Sequence, residues 1–289
     1  MQIKSYLSLV KFSHTIFALP FALIGFFVSL QRYGNGAINP RLLLLVLACM
    51  VTARNAAMAF NRWADQKYDA LNPRTATREI PSGVISSRAG MIFIIVNSVL
   101  FICFAALINP LCFALSPVAL LVVFGYSLTK RFSWLCHLFL GLGLSLAPVG
   151  AYLAVSSHFD YLPVLYGLAV ICWVAGFDIL YALQDIEFDQ SQSLFSIPAK
   201  FGIHHARMIS GVLHAICAIL IISCSLILIR EFHLDYWIEA GTLFFLGLLI
   251  YQHWLVHKYG MSHINLAFFT TNGVASILLA VGTILDFYF

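Results

Sequence analysis

The fold class predicted by the sequence is an all-α membrane protein, a bundle of nine transmembrane helices, and three observations lead to it. Of 289 residues, 61% are hydrophobic and only 10% charged, and the mean hydropathy of +0.92 lies far outside the range of soluble globular chains. The apolar runs, such as 42–50 and 216–222, are unbroken, where a transmembrane barrel would show short alternating segments and frequent turns. At roughly 20 apolar residues per crossing plus short connections, the chain has room for about eight or nine spans.

The breaks between runs place the spans at 13–30, 41–64, 90–108, 112–129, 134–155, 161–185, 206–229, 237–256 and 264–286, within one domain covering 1–289. The first span follows Lys4 and Lys11 but runs straight into the body of the chain without a small-residue cleavage site, so it reads as a crossing rather than a removable signal. The second contains Arg54 and leads into the polar segment NRWADQKYDALNPRTATREIPSG at 61–83; the third is almost free of polar residues over 91–107. Tyr126 and Lys130 stand four apart at the inner end of the fourth, where a lysine can also simply reach the interface. The fifth includes GLGLSLAPVGAY, the sixth ends in DILYALQDIEFDQ, and the seventh is opened by His204, His205 and Arg207, which read as surface residues. Seven cysteines are scattered singly through the apolar segments without metal-ligand spacing, as small buried residues would be.

Cytoplasmic loops collect the excess of Lys and Arg, which tests this topology independently. With the N-terminus inside, the inner face receives Lys4, Lys11, Lys67, Arg74, Arg78, Arg88, Lys130, Arg131, Lys200, Arg207 and Lys258, against Arg32, Arg41 and Arg230 outside. Seven of the twelve acids (Asp65, Asp69, Glu79, Asp178, Asp185, Glu187, Asp189) fall at the inner ends of spans two and six or just beyond. The remaining five, Asp160, Glu231, Asp235, Glu239 and Asp286, lie near the outer face and are assigned no chemistry. An inner, cytoplasmic membrane with the polar end toward the cytoplasm follows.

Continued as a helix, the first polar segment puts Asn61, Asp65 and Asp69 on one drifting stripe, and the second does the same for Asp178, Tyr181, Asp185 and Asp189. Both aspartate pairs are separated by 120 residues, the spacing an internal duplication would give. Stacked carboxylates near a membrane interior call for a compensating cation. Spacing alone is not diagnostic, since Glu231, Asp235 and Glu239 also step by four; what sets the inner sites apart is the amide of Asn61, the intramembrane Arg54 and the bases Arg62, Lys67, Arg74 and Arg78. Hard oxygen ligands on two helices suit Mg²⁺, and neighbouring Lys and Arg suit phosphate oxygens, so a metal-bound diphosphate is the expected ligand. The bland reading is that acids and bases merely pair at a polar membrane surface.

The motifs NxxxDxxxD at 61–69, NPRTATREIPSG and YxxxDxxxD at 181–189 resemble those of the UbiA-type intramembrane prenyltransferases. FSHTIFALPFALIGFF, RNAAMAFNRWAD, YSLTKR and GLGLSLAPVGAY are similar to the 4-hydroxybenzoate polyprenyltransferase branch, and the likeness extends over essentially the whole chain. The resemblance implies a central cavity open sideways to lipid for an isoprenoid tail, with a polyprenyl diphosphate and an aromatic acid as substrates and no nucleic acid as partner. It implies Mg²⁺ held by Asn61, Asp65, Asp69, Asp185 and Asp189, and diphosphate contacts from Arg74, Tyr126 and Lys130, beside Arg78 and Tyr181. Asp185, or Asp178 above it, would orient the acceptor's hydroxyl, and His14 would stand where relatives often keep a basic residue for the acceptor's carboxylate. Arg54 reads either as counter-ion to Asp65 or as a ligand of diphosphate or carboxylate. Members that prenylate a dihydroxynaphthoate fit these motifs as well. From another class, a transporter would also hold acids and arginines in a bundle with a repeat, but nearer the bilayer midplane.

Overall fold

The computed structural model describes residues 2–10, 17–260, 264 and 270–289, so His14 and Lys11 lie outside the described residues. Among the described residues the regular elements are all helices: α1 (Gln2–Leu9), α2 (Leu19–Tyr33), α3 (Pro40–Ala64), α4 (Gln66–Leu71), α5 (Ser87–Ile108), α6 (Pro110–Thr129), α7 (Cys136–Ser156), α8 (Tyr161–Ala182), α9 (Ile186–Ser191), α10 (Ile197–Phe232), α11 (Tyr236–Tyr259) and α12 (Asn272–Leu285). Six of these, α3, α5, α6, α7, α8 with its continuation to Ser191, and α10, are long and apolar enough to cross a bilayer, while α2 and α12 are shorter apolar helices. Helix α11 is as long but more polar, carrying Glu239, Gln252, His253, His257 and Lys258. Each expected span therefore has a helix, and the chain is an integral membrane protein.

Short polar residues set where the spans start. The side chains of Asn39, Ser86, Asn109, Asp160 and Ser196 each accept a hydrogen bond from a backbone N–H in the first turn of the helix that follows, and Pro sits at the start of α3, α6 and α10. Helix α10 begins nine residues before the expected 206, because a turn from Ile197 to Phe201 precedes a break at Gly202. Gly202 has φ +77°, a conformation a side chain disfavours, so the helix breaks there and a second helical run follows across the kink.

Close packing follows from small residues. A Cβ on Gly25 of α2 would lie 2.2 Å from the Pro148 carbonyl oxygen of α7, and one on Gly141 of α7 would lie 2.6 Å from the Ile171 carbonyl oxygen of α8. The main core, around Trp173, gathers Phe17, Phe21, Tyr166, Phe177 and Phe245 from α2, its approach, α8 and α11. Trp173 Nε1 donates to Asn272 Oδ1 at 2.9 Å, so the one polar atom of that ring is satisfied by α12. At the outer end Arg32 of α2 pairs with both Asp160 and Glu231, and Asp286 accepts from the backbone N–H groups of Asp235 and Ile238. Three of the five outer acids, Asp160, Glu231 and Asp286, thus tie helix ends together through their carboxylates.

Candidate functional site

Neither aspartate stripe is a continuous helix. Helix α3 stops at Ala64, Asp65 adopts φ −93°, ψ 6°, and α4 restarts at Gln66; likewise α8 stops at Ala182, a single 3-10 turn covers Leu183–Asp185, Asp185 adopts φ −107°, ψ 6°, and α9 restarts at Ile186. The expected continuous helix is corrected to one with the same break at the middle position of each motif. The four-residue stagger survives, since Asp65 N donates to Asn61 O at 3.0 Å and Asp69 N to Asp65 O at 2.8 Å.

Beyond the first stripe the NPRTATREIPSG segment folds on itself. Asn72 Oδ1 accepts from Arg74 N at 3.0 Å, and the Thr75 hydroxyl donates to the Asp69 carbonyl at 3.1 Å. That turn aims its two arginines differently. Arg78 Nη1 reaches Asp69 Oδ1 at 2.6 Å within the first motif, whereas Arg74 crosses to the second, donating from Nη2 to Asp185 Oδ2 at 2.7 Å and from Nε to Asp185 Oδ1 at 3.1 Å. Arg74 also donates to the Tyr181 hydroxyl at 3.3 Å and lies over that ring.

Two consecutive residues after α6 complete the closure. Lys130 Nζ lies 2.6 Å from Asp189 Oδ1, and Arg131 Nη2 lies 3.2 Å from Asp65 Oδ1. Residues 130 and 131 therefore take one aspartate from each motif, which fixes the two stripes opposite each other in one polar site. Burial pushes the Asp65 carboxyl above its ordinary pKa in spite of Arg131, and the Asp189 charge holds the Lys130 ammonium above its ordinary value although burial acts the other way. Asp189 is wholly buried and also accepts from the Ser196 hydroxyl at 2.9 Å.

Four aspartates are matched by four cations here, Asp65 with Arg131, Asp69 with Arg78, Asp185 with Arg74 and Asp189 with Lys130. Among the described residues no group of three or more His, Cys, Asp or Glu converges on one point as a closed metal cage. Oxygen ligands with spare capacity are present nonetheless: Asp69 Oδ2 is buried without a hydrogen-bond partner, and Asp65 Oδ2 takes only a long 3.3 Å bond from Asn61 Nδ2.

Next to these charges lies a cavity of about 430 Å³ between α3, α5, α6 and α7, lined by apolar side chains such as Met50, Phe101, Val122 and Leu144 together with Arg54 and Tyr126. Tyr126 lines the cavity, and the hydroxyl of the next residue, Ser127, accepts a 3.4 Å bond from Asn61 Nδ2, which joins the cavity to the carboxylate site. Arg54 does not pair with Asp65, whose cation is Arg131; its Nε is buried without a partner in the cavity wall. The counter-ion reading of Arg54 is thereby corrected.

Asp178 stands apart from the four paired aspartates. Its Oδ2 is 2.7 Å from His137 Nδ1 of α7, and His137 Nε2 accepts from the Ile197 N–H at 3.4 Å, so Nδ1 carries the proton and donates to Asp178. Sequence reasoning named neither His137, Arg131, Asn72 nor Ser196 as a site residue. Arg131 and Asn72 sit inside segments it singled out, while a lone histidine in an apolar span gives no signal.

The profile of the UbiA prenyltransferase family matches residues 18–274. A 4-hydroxybenzoate octaprenyltransferase from Nitrosomonas eutropha is 30% identical over 256 residues, 87% of this chain and 86% of that one. The apo structure of a UbiA homolog from Aeropyrum pernix K1 superposes with a TM-score of 0.84 at 32% identity, covering 94% of this chain and 98% of that one. A UbiA homolog from Archaeoglobus fulgidus, bound to GPP and Mg²⁺, shares the fold at a TM-score of 0.74 and 20% identity, covering 99% and 100%.

Proposed function

From the premise that this chain belongs to the UbiA prenyltransferase family and is an aromatic prenyltransferase, we propose that it transfers a polyprenyl group from a polyprenyl diphosphate to a ring carbon of 4-hydroxybenzoate, for membrane quinone synthesis. The observation that carries this reading is the pair of aspartate motifs bridged by Arg74, Lys130 and Arg131 beside an apolar cavity of about 430 Å³. Relatives called 4-hydroxybenzoate octaprenyltransferases support the acceptor. The excess of bases at this end supports an inner-membrane site facing the cytoplasm.

The charge balance explains a need for divalent cations. Four carboxylates and four bases already cancel, so an incoming diphosphate brings uncompensated negative charge. The oxygen donors of Asn61, Asp65, Asp69, Asp185 and Asp189, with Asp69 Oδ2 unpartnered, fit Mg²⁺, which needs only one or two carboxylates beside water and phosphate. When bound, Mg²⁺ neutralises the diphosphate leaving group.

Arg74, Arg78, Lys130 and Arg131, freed in part from their aspartates, bind the diphosphate oxygens. The prenyl C–O bond breaks and the diphosphate departs with the electron pair; the allylic cation stays in the cavity, whose apolar wall keeps water from quenching it. Arg54, whose Nε has no hydrogen-bond partner among the described residues, takes the acceptor's carboxylate from that wall. Asp178, oriented by His137, accepts a hydrogen bond from the acceptor's hydroxyl and raises the electron density of the ring. The new C–C bond forms at the carbon beside that hydroxyl, and the ring proton is released.

Purified protein in detergent with a polyprenyl diphosphate, Mg²⁺ and a panel of aromatic acids tests this. Prenylated 4-hydroxybenzoate is expected, abolished by EDTA and reduced at least about a hundredfold in Asp65→Asn and Asp185→Asn. Transfer that survives EDTA, or a dihydroxynaphthoate prenylated in preference, would overturn the metal or the acceptor respectively.

A further inference from the structure

A second pocket, of about 190 Å³, lies between α8, α10 and α11 and shares no lining residue with the large cavity. It is lined by Leu180, Arg207, His253, Val256 and His257, and so presents three basic side chains and no acid. Leu180 is five residues before Asp185, so the pocket lies at the same end of the bundle as the aspartates but on another flank. Its two apolar lining residues, Leu180 and Val256, belong to a small buried cluster with Ile179, Leu183, Ala206 and Leu255.

Arg207 is the unusual member. It takes part in none of the ion pairs among the described residues, and its Nε is buried without a hydrogen-bond partner. Arg207 is half-buried, so its guanidinium keeps donors free for an anion that enters the pocket. His214 Nε2 is 3.1 Å from the Trp173 carbonyl oxygen, an acceptor only, so Nε2 carries the proton and Nδ1 accepts from His253 Nε2 at 2.7 Å. That chain uses the one N–H of a neutral His253 ring, so an anion in the pocket meets its N–H donors on Arg207 and His257.

The surroundings are those of a membrane interface. Trp254 stacks on Tyr251 and meets Tyr259 edge-on, Lys258 Nζ lies 4.7 Å over the Trp254 ring, and Met208 beside Arg207 is 55% exposed. Amphipathic aromatics with a basic residue mark headgroup depth, and exposed apolar neighbours offer a seat for acyl chains. We infer that this pocket binds a phosphate group, and that its source is the headgroup of an anionic phospholipid whose chains lie along α10 and α11.

Native mass spectrometry in detergent tests the inference, with phosphatidylglycerol, phosphatidylcholine and millimolar inorganic phosphate as probes on the full chain. Wild-type protein is expected to retain phosphatidylglycerol over phosphatidylcholine, and Arg207→Gln to weaken that retention about tenfold. His257→Gln, at an exposed position that packing does not depend on, is expected to weaken it as well; unchanged thermal midpoints separate lost binding from lost fold. Competition by inorganic phosphate, with no preference between the two lipids, would overturn the lipid source and keep the phosphate chemistry. Retention of phosphatidylglycerol unchanged in both variants would overturn the site.

Discussion

Lys130→Met tests the bridge between the two motifs most directly. The change removes the cation 2.6 Å from Asp189, a carboxylate with no exposed side-chain surface whose other contact is the Ser196 hydroxyl. At an effective dielectric of about 20, charges 2.6 Å apart attract by about 6 kcal/mol before desolvation is subtracted. Breaking a buried pair costs about 3–5 kcal/mol, and because Lys130 is 35% exposed and water can reach the gap, about 2–3 kcal/mol is the expected loss. In a thermal scan in detergent that corresponds to a fall of about 5 °C or somewhat more. Asp189→Asn alone should cost less, and the double variant should recover most of the midpoint, with a coupling of about 2 kcal/mol, because neither charge is then left alone. Prenyl transfer should stay lost in the double variant, since both groups are also needed for the diphosphate. Additive midpoints would refute the pairing, and activity restored in the double variant would show that the pair only supports the fold.

Three further outcomes follow from the packing and charges. Gly141→Ala drives a Cβ against the Ile171 backbone at 2.6 Å, so α7 and α8 must separate, at a cost of about 1–3 kcal/mol read as a lowered thermal midpoint. Gly143→Leu instead projects into the cavity, since a Cβ there meets nothing nearer than Val123 Cγ1 at 3.8 Å; KM should rise more for long prenyl diphosphates than for short ones. At the outer end, burial acts to raise the Asp160 pKa, but the Tyr152 hydroxyl and Arg32 outweigh it and hold the carboxyl below its ordinary value. A depressed folded-state pKa contributes stability that is present above the unfolded value of about 3.9 and disappears as pH falls through the folded one. The wild-type thermal midpoint should therefore drop in that acid range, and Asp160→Asn should flatten the drop.

Hydropathy and charge were enough to read nine spans and a polar end rich in Lys and Arg, because a bilayer imposes length and apolarity on every crossing regardless of tertiary contacts. The same one-dimensional signal missed the short helical turn from Ile197 to Phe201, since the polar residues around Lys200 look like a loop; the break at Gly202 sets that turn off from the long helix that follows. Both aspartate motifs were equally legible, as residue types at helical spacing.

What the sequence by itself determined is thus the number of crossings, the polar end and the chemical character of that end, all properties of local composition and period. Tertiary structure alone decided which base answers which acid: Arg74 crosses to Asp185, Lys130 and Arg131 divide between the motifs, and Arg54 faces an apolar cavity rather than Asp65. It alone placed His137 behind Asp178 and left Arg207 without an acid. The physical reason is that electrostatic and hydrogen-bond partners are set by distances of a few ångströms between segments 111 or even 199 residues apart, which no local pattern encodes.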